Sequence, residues 1–243
     1  MTLSSSSSNT LKTNTASGNK YNGFEFEYSS SSNTLTGNTA SSNTVDGFHF
    51  YLSSSNTITS NTAKGNVNGF EFDGSSSNTL TGNTASSNTG NGFYFYSNTG
   101  NTLTSNTASG NKYDGFYLDS SSSNTLKTNT ASSNKYDGFY LDSSSSNTLK
   151  SNTASGNGWY GFYLDSSSSN TLTSNTASSN KYDGFYLDSG CIGNSLSHNA
   201  ANSNQGYGYH DMSHGSGTAG TANKYTSNTA SGNKLGASYP KGL

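Results

Sequence analysis

Residues 124–146 read NTLKTNTASSNKYDGFYLDSSSS, and residues 147–169 read NTLKSNTASGNGWYGFYLDSSSS. The two stretches differ chiefly where Lys135-Tyr136-Asp137 becomes Gly158-Trp159-Tyr160. Copies of this kind run through most of the chain at a spacing of 22 to 24 residues. A period of that length confines the chain to small units that bury one another by stacking. Leu103, Leu126 and Leu149 recur after Asn-Thr; so do Ala108, Ala131 and Ala154, and Phe116, Phe139 and Phe162 follow Gly.

Within one copy the apolar residues alternate with polar ones, as in Thr125-Leu126-Lys127, Thr130-Ala131-Ser132 and Phe139-Tyr140-Leu141-Asp142. Period-2 alternation marks strands with one buried face, and the Asn, Gly and Ser between them supply turns. The fold expected is an all-β solenoid of about ten coils with three short strands per coil, each Leu, Ala or Phe stacked on its counterpart one coil away. Asn124, Asn129 and Asn134 fall at the corners, where the sequence reading gives them left-handed backbone and a coil-to-coil amide ladder. Asp114-Gly115, Asp137-Gly138 and Asp183-Gly184 read as turns.

Only 28% of the residues are hydrophobic and 10% charged, a composition close to that of disordered chains. Aromatic residues in strict register argue for a folded stack instead. All eleven basic residues are Lys and the net charge is −2, which argues against a nucleic-acid surface. Cys191 stands alone, so no internal disulfide forms. No apolar run reaches membrane-spanning length, and MTLSSSSSN does not read as a signal peptide.

The pattern N-T-[LI]-x-x-N-T-A-x-x-N-x-x-x-G-F-x-[LF] resembles the right-handed parallel β-helix repeats of NosD-type surface proteins, within the wider pectate-lyase-like set. The resemblance covers residues 1 to about 200. It implies a single right-handed β-helix and leaves function open, because such repeats serve sugar-active enzymes, copper-loading proteins and surface proteins alike. Residues 1–189 read as regular coils. Residues 190–243 read as diverged coils with a Gly/His-containing insertion and a tail ending near Pro240. Met1-Thr2-Leu3-Ser4 aligns with Phe116-Tyr117-Leu118-Asp119, so the expectation is a fragment, or an end that self-associates end to end.

Four candidate sites follow. Pectate-lyase-like chemistry, as the resemblance implies it, needs a proton-accepting base and carboxylates clustered for calcium. With no Arg and no acid standing apart from its ladder, the sequence reading expects no enzyme and no cofactor, and takes His49, which replaces Glu25 and Glu71 of neighbouring copies, as surface drift. His210, Met212 and His214 alternate, with His198 nearby in sequence, and form a weak candidate for a metal such as copper. The outward residues Tyr117, Tyr140, Tyr163 and Tyr186, with Asp119, Asp142, Asp165 and Asp188 beside them, form a ladder suited to glycans or cations. Thr34/Thr36, Thr57/Thr59, Thr79/Thr81 and Thr102/Thr104 form a T-x-T array like the ice-binding face of β-solenoid antifreeze proteins, interrupted elsewhere by Lys12, Lys127 and Lys150. The function expected is a non-enzymatic extracellular or cell-surface scaffold, adhesin-like. Ice binding is its first alternative and glycan binding its second. The partners expected are an extended polar surface, ice or polysaccharide.

Overall fold

A computed structural model describes all residues 1–243. The strands are three to five residues long, because each run of alternation is that short and turn residues follow it. In one copy they are Thr125–Lys127, Thr130–Ser132 and Phe139–Asp142. Each pairs in parallel with its counterpart a copy away, Phe139 lying opposite both Phe116 and Phe162. The result is a right-handed coil with three sheets of 11, 10 and 10 strands. We call these the Phe, Leu and Ala sheets after their buried residues.

The inward residues form one continuous apolar core along the axis. Leu126, Ala131, Phe139 and Leu141 are fully buried. Phe139 lies between the rings of Phe116 and Phe162, its centroid 4.8 Å from each and the planes within 4°. That distance is the spacing of hydrogen-bonded strands, so the backbone sets the stacking of the rings. The glycine before each Phe answers to sterics. A Cβ on Gly138 would meet the Gly161 carbonyl oxygen at 2.6 Å and the Ala154 Cβ at 2.7 Å.

The corners differ from expectation in one respect. The left-handed residue is the one before Asn, as at Thr128 (φ 54°), Ser133 (φ 54°) and Ser146 (φ 58°), not Asn itself. This bend turns the following Asn side chain inward, where the corner leaves backbone groups without partners. Asn129 is buried. Its Nδ2 donates to the Leu103 carbonyl (2.9 Å) and to Asn152 Oδ1 (3.1 Å), and its Oδ1 accepts from the Asn106 backbone N–H (2.8 Å). A carboxamide carries two donors and an acceptor, which is what a buried corner between two coils requires.

The stack continues past Gly190. Ser195–Ser197 pairs with Thr171–Thr173, and Tyr209 extends the Phe column, 5.0 Å from Phe185. Between Met212 and Asn223 the chain makes an excursion containing a short 3₁₀ turn at Thr218–Gly220. The final strand, Gly236–Tyr239, pairs with Tyr207–Asp211.

Because Phe139 is enclosed and Tyr140 lies on the outer surface, truncating them has unequal effects. Phe139→Ala is expected to cost about 3–5 kcal/mol of stability and Tyr140→Ala less than about 1.5 kcal/mol, as read from denaturant unfolding. Equal losses would contradict this assignment of faces.

Candidate functional site

The Thr rows stand on the Leu sheet in register, Thr79 opposite Thr57 and Thr102, and Thr81 opposite Thr59 and Thr104. Thr34 and Thr36 begin this run. Thr34, Thr57, Thr79 and Thr102 are exposed, Thr36, Thr59, Thr81 and Thr104 are half-buried, and Lys12 and Lys127 bound the rows at either end. They are flat and chemically uniform, with no titratable group among them.

The outer face of the Phe sheet is different. Tyr94, Tyr117, Tyr140 and Tyr163 form a ladder with centroids 5.1, 4.8 and 4.7 Å apart and planes within 19°. Rings stacked face to face show solvent only their edges and hydroxyls. Asp119, Asp142 and Asp165 run beside them, each taking a hydrogen bond at 2.9–3.0 Å from the serine hydroxyl that follows it.

The ladder ends where the copies diverge. At the position of Tyr160 neighbouring coils carry Asn or Asp, whose side-chain oxygen accepts the backbone N–H of the next coil. Asn91 accepts from Asp114 (3.0 Å), Asp114 from Asp137 (2.7 Å) and Asp137 from Tyr160 (2.7 Å). Tyr160 has no such acceptor. Its ring lies over the sheet instead, 4.7 Å from Tyr186 and nearly parallel to it, and 5.3 Å from Tyr163. Tyr186 is consequently turned 64° from Tyr163, where the sequence reading placed it as one more rung. Asp188 falls just outside the strand Phe185–Leu187. On the preceding turn Trp159 is tilted 36° from Tyr136 and stands edge-on to Tyr182. The regular stacking of the ladder is broken here, Tyr160 and Tyr186 stacking on each other and Trp159 standing exposed beside them.

Beside this break lies a titratable pair. His210 Nδ1 is 3.0 Å from Asp183 Oδ2, and the carboxylate is buried while the imidazole is partly exposed. The other oxygen, Oδ1, accepts the Tyr207 backbone N–H. Asp183 therefore fixes the ring orientation and favours the tautomer protonated at Nδ1, which leaves Nε2 free to take a proton. Nε2 faces the Met212 sulfur at 3.1 Å, a weak partner that a bound hydroxyl can displace. Tyr186, Tyr207, Met212 and Tyr239 enclose His210 in a shallow cleft. Burial and neighbouring acids raise the phenol pKa values of Tyr160, Tyr163 and Tyr186, so these hydroxyls keep their protons and can donate.

His210 and Met212 thus meet, whereas His214 projects from the excursion into a separate cleft shared with Met212 and Tyr239. His198 is exposed, just after the strand Ser195–Ser197 of the Leu sheet. No three His, Cys, Asp or Glu side chains come together as a metal-ligand set. Asp183 was legible in the sequence only as a turn residue. The signal that could have found it is the break at Tyr160, which ends one run of ladder bonds and leaves Asp183 to begin another. His49, read as surface drift, is 3.5 Å from Glu25 and 3.2 Å from Asn22 at the far end of the sheet.

The chain matches the family described as right handed beta helix region over residues 1–85 and 68–235, and it belongs to that family. No curated protein matches the sequence. Among solved structures, the A-module of the Azotobacter vinelandii mannuronan C-5 epimerase AlgE4 superposes with a TM-score of 0.67 at 16% identity, covering 96% of this chain and 76% of that one. A double mutant of the periplasmic alginate epimerase AlgG gives 0.70 at 14% identity, with 95% and 72% covered. The catalytic domain of a GH87 alpha-1,3-glucanase in complex with nigerose gives 0.66 at 13% identity, with 99% and 61% covered. At these identities the likeness establishes the fold. The expectation of a non-enzymatic, adhesin-like or ice-binding scaffold does not stand, because these neighbours are carbohydrate-active enzymes matching nearly the whole stack. The sequence reading looked for an acid outside its ladder, whereas Asp183, which pairs with His210, sits within one. No helix is long and apolar enough to cross a membrane.

The carboxyl groups inside these ladders titrate unusually. Burial, then the charge of Glu71, pushes Asp46 up to about 8. Burial pushes Asp114 up to about 7, and burial followed by Asp114 raises Asp137. Each keeps its proton in the folded chain at pH values where the unfolded chain has lost it. Their stabilising contribution is therefore complete below about pH 4 and is lost as pH rises through about 8. Asp46→Asn, which restores the residue type of Asn68 and Asn91, is expected to raise the melting temperature at pH 8 and leave it unchanged at pH 4. An unchanged difference between the two pH values would refute this account.

Proposed function

We propose that the protein is a carbohydrate-active enzyme that holds a polysaccharide along the outer Phe sheet and transfers a proton to or from it at His210. The observation that carries this reading is the coincidence of a break in the Tyr ladder, with Trp159 exposed beside it, and an oriented Asp–His pair. A sugar ring presents C–H groups on its faces and hydroxyls at its rim. The exposed ring of Trp159 suits the former, and the phenol hydroxyls together with Asp165 suit the latter. The long parallel groove of a solenoid suits an extended chain better than a small molecule.

Asp183 acts as a positioning residue. It holds the imidazole and stabilises the imidazolium that forms when Nε2 accepts a proton. The fold likeness to polysaccharide epimerases and a glucanase supports the substrate class. A periplasmic protein among those neighbours supports work outside the cytoplasm.

The test is a panel of neutral and acidic polysaccharides, with binding followed by calorimetry and conversion by NMR and reducing-end release. His210→Asn is expected to lower turnover at least about 100-fold with little change in binding. Tyr160→Asn, which writes the uncharged acceptor of Asn68 and Asn91 back into the coil, is expected to restore the ladder bond to Asp183 and close the Tyr stack. It should hold or raise the melting temperature while weakening binding at least about tenfold. A protein that neither binds nor converts any member of the panel would overturn the reading.

A further inference from the structure

The distribution of charge on the Phe sheet bears on which polysaccharide the groove accepts. The chain has thirteen Asp and Glu residues. Every one lies on a strand of the Phe sheet or within two residues of one, from Glu25 and Glu27 at one end to Asp188 and Asp211 at the other. The Leu and Ala sheets carry none. None of the eleven lysines stands on a Phe-sheet strand, and only Lys234 and Lys241, which flank the final strand Gly236–Tyr239, come within two residues of one. Lys112, Lys135 and Lys181 lie on the preceding turn, and Lys135 is drawn back over the ring of Tyr136, 5.8 Å from its centroid. There is no arginine to fork onto a carboxylate.

Asp119, Asp142 and Asp165 stand opposite one another on successive strands beside the Tyr ladder. A uronate chain laid along that ladder would bring a carboxylate toward this row at each sugar, well inside the roughly 8 Å over which physiological salt screens charge. Like charges held that close disfavour binding. A neutral chain carries no such penalty, and its hydroxyls can donate to the same oxygens. Resting on the reading of this face as a polysaccharide groove, we infer that the substrate is an uncharged glycan, not a polyuronate. Asp119, Asp142 and Asp165 exclude the acidic chain and accept hydroxyls from the neutral one.

Tetrasaccharides keep chain length constant. Neutral gluco-, manno- and xylo-tetraoses are compared with mannuronate and galacturonate tetramers by calorimetry, at low salt, with EDTA and separately with calcium. The best neutral ligand is expected to bind at least tenfold more tightly than either uronate under both conditions. The pair Asp119→Asn and Asp142→Asn, introduced together, is expected to raise uronate affinity at least fivefold, while neutral affinity stays equal or falls because two hydroxyl acceptors are altered. Uronate binding equal to or tighter than neutral binding, with EDTA or with calcium, overturns the inference and leaves the groove itself standing. An unchanged uronate affinity in the double variant removes the Asp row from the explanation and overturns it likewise. Binding of neither class removes the groove reading and this inference together.

Discussion

Each coil of this protein is held by the one beside it, through the inward carboxamide at every corner. Three-residue strands contribute few hydrogen bonds, and no coil can bury its own face. A corner that turns between two sheets would leave carbonyls and N–H groups without partners inside the stack. Asn129 and its equivalents meet that need and also bond to the Asn of the adjacent coil, so the amides run as a continuous file. Slipping one coil by one residue would misplace every amide and bring polar side chains into the core. Register, ring stacking and the Gly column all depend on this file.

That rigidity explains how one altered triplet can build a site. Along a regular stack, Tyr side chains have room only to lie flat upon each other, and their faces are used up in doing so. Replacing an acceptor residue with Tyr160 removes a ladder bond, adds a ring and leaves the neighbouring rings no regular place. The disturbance stays local because Phe139, Phe162 and Phe185 remain stacked below within 4°. A packed core passes little of the surface rearrangement inward. The broken Tyr ladder and the Asp183 oxygen that meets His210 arise from the same interruption, and so they lie together.

The same ladders place carboxyl groups where water does not reach. Asp114 and Asp137 accept backbone N–H groups yet lie one coil apart, so burial and mutual repulsion hold protons on them near neutral pH. Asp183 uses one oxygen in the same way, and Tyr160 before it carries no carboxyl. Its second oxygen is then available to His210 instead of contending with another acid. One residue type thus serves as a structural acceptor in several coils and as the partner of an imidazole in one.

The sequence by itself determined the architecture. A 22- to 24-residue period with two-residue alternation leaves only a parallel stack, and Leu126, Ala131, Phe139 and Leu141 lie where that alternation places them. Which residue takes the left-handed bend was not legible, because Ser and Asn both favour turns, and only the corner geometry shows that Asn is needed inside. The site was partly visible: His210, Met212 and Tyr186 stood out as letters, and the break at Trp159-Tyr160 was plain. Only the tertiary structure decided that Asp183 reaches His210 across 27 residues, and that Tyr186 leaves its ladder. Both depend on how one coil lies on the next, a distance set in space by strand pairing and not written in the spacing of the chain.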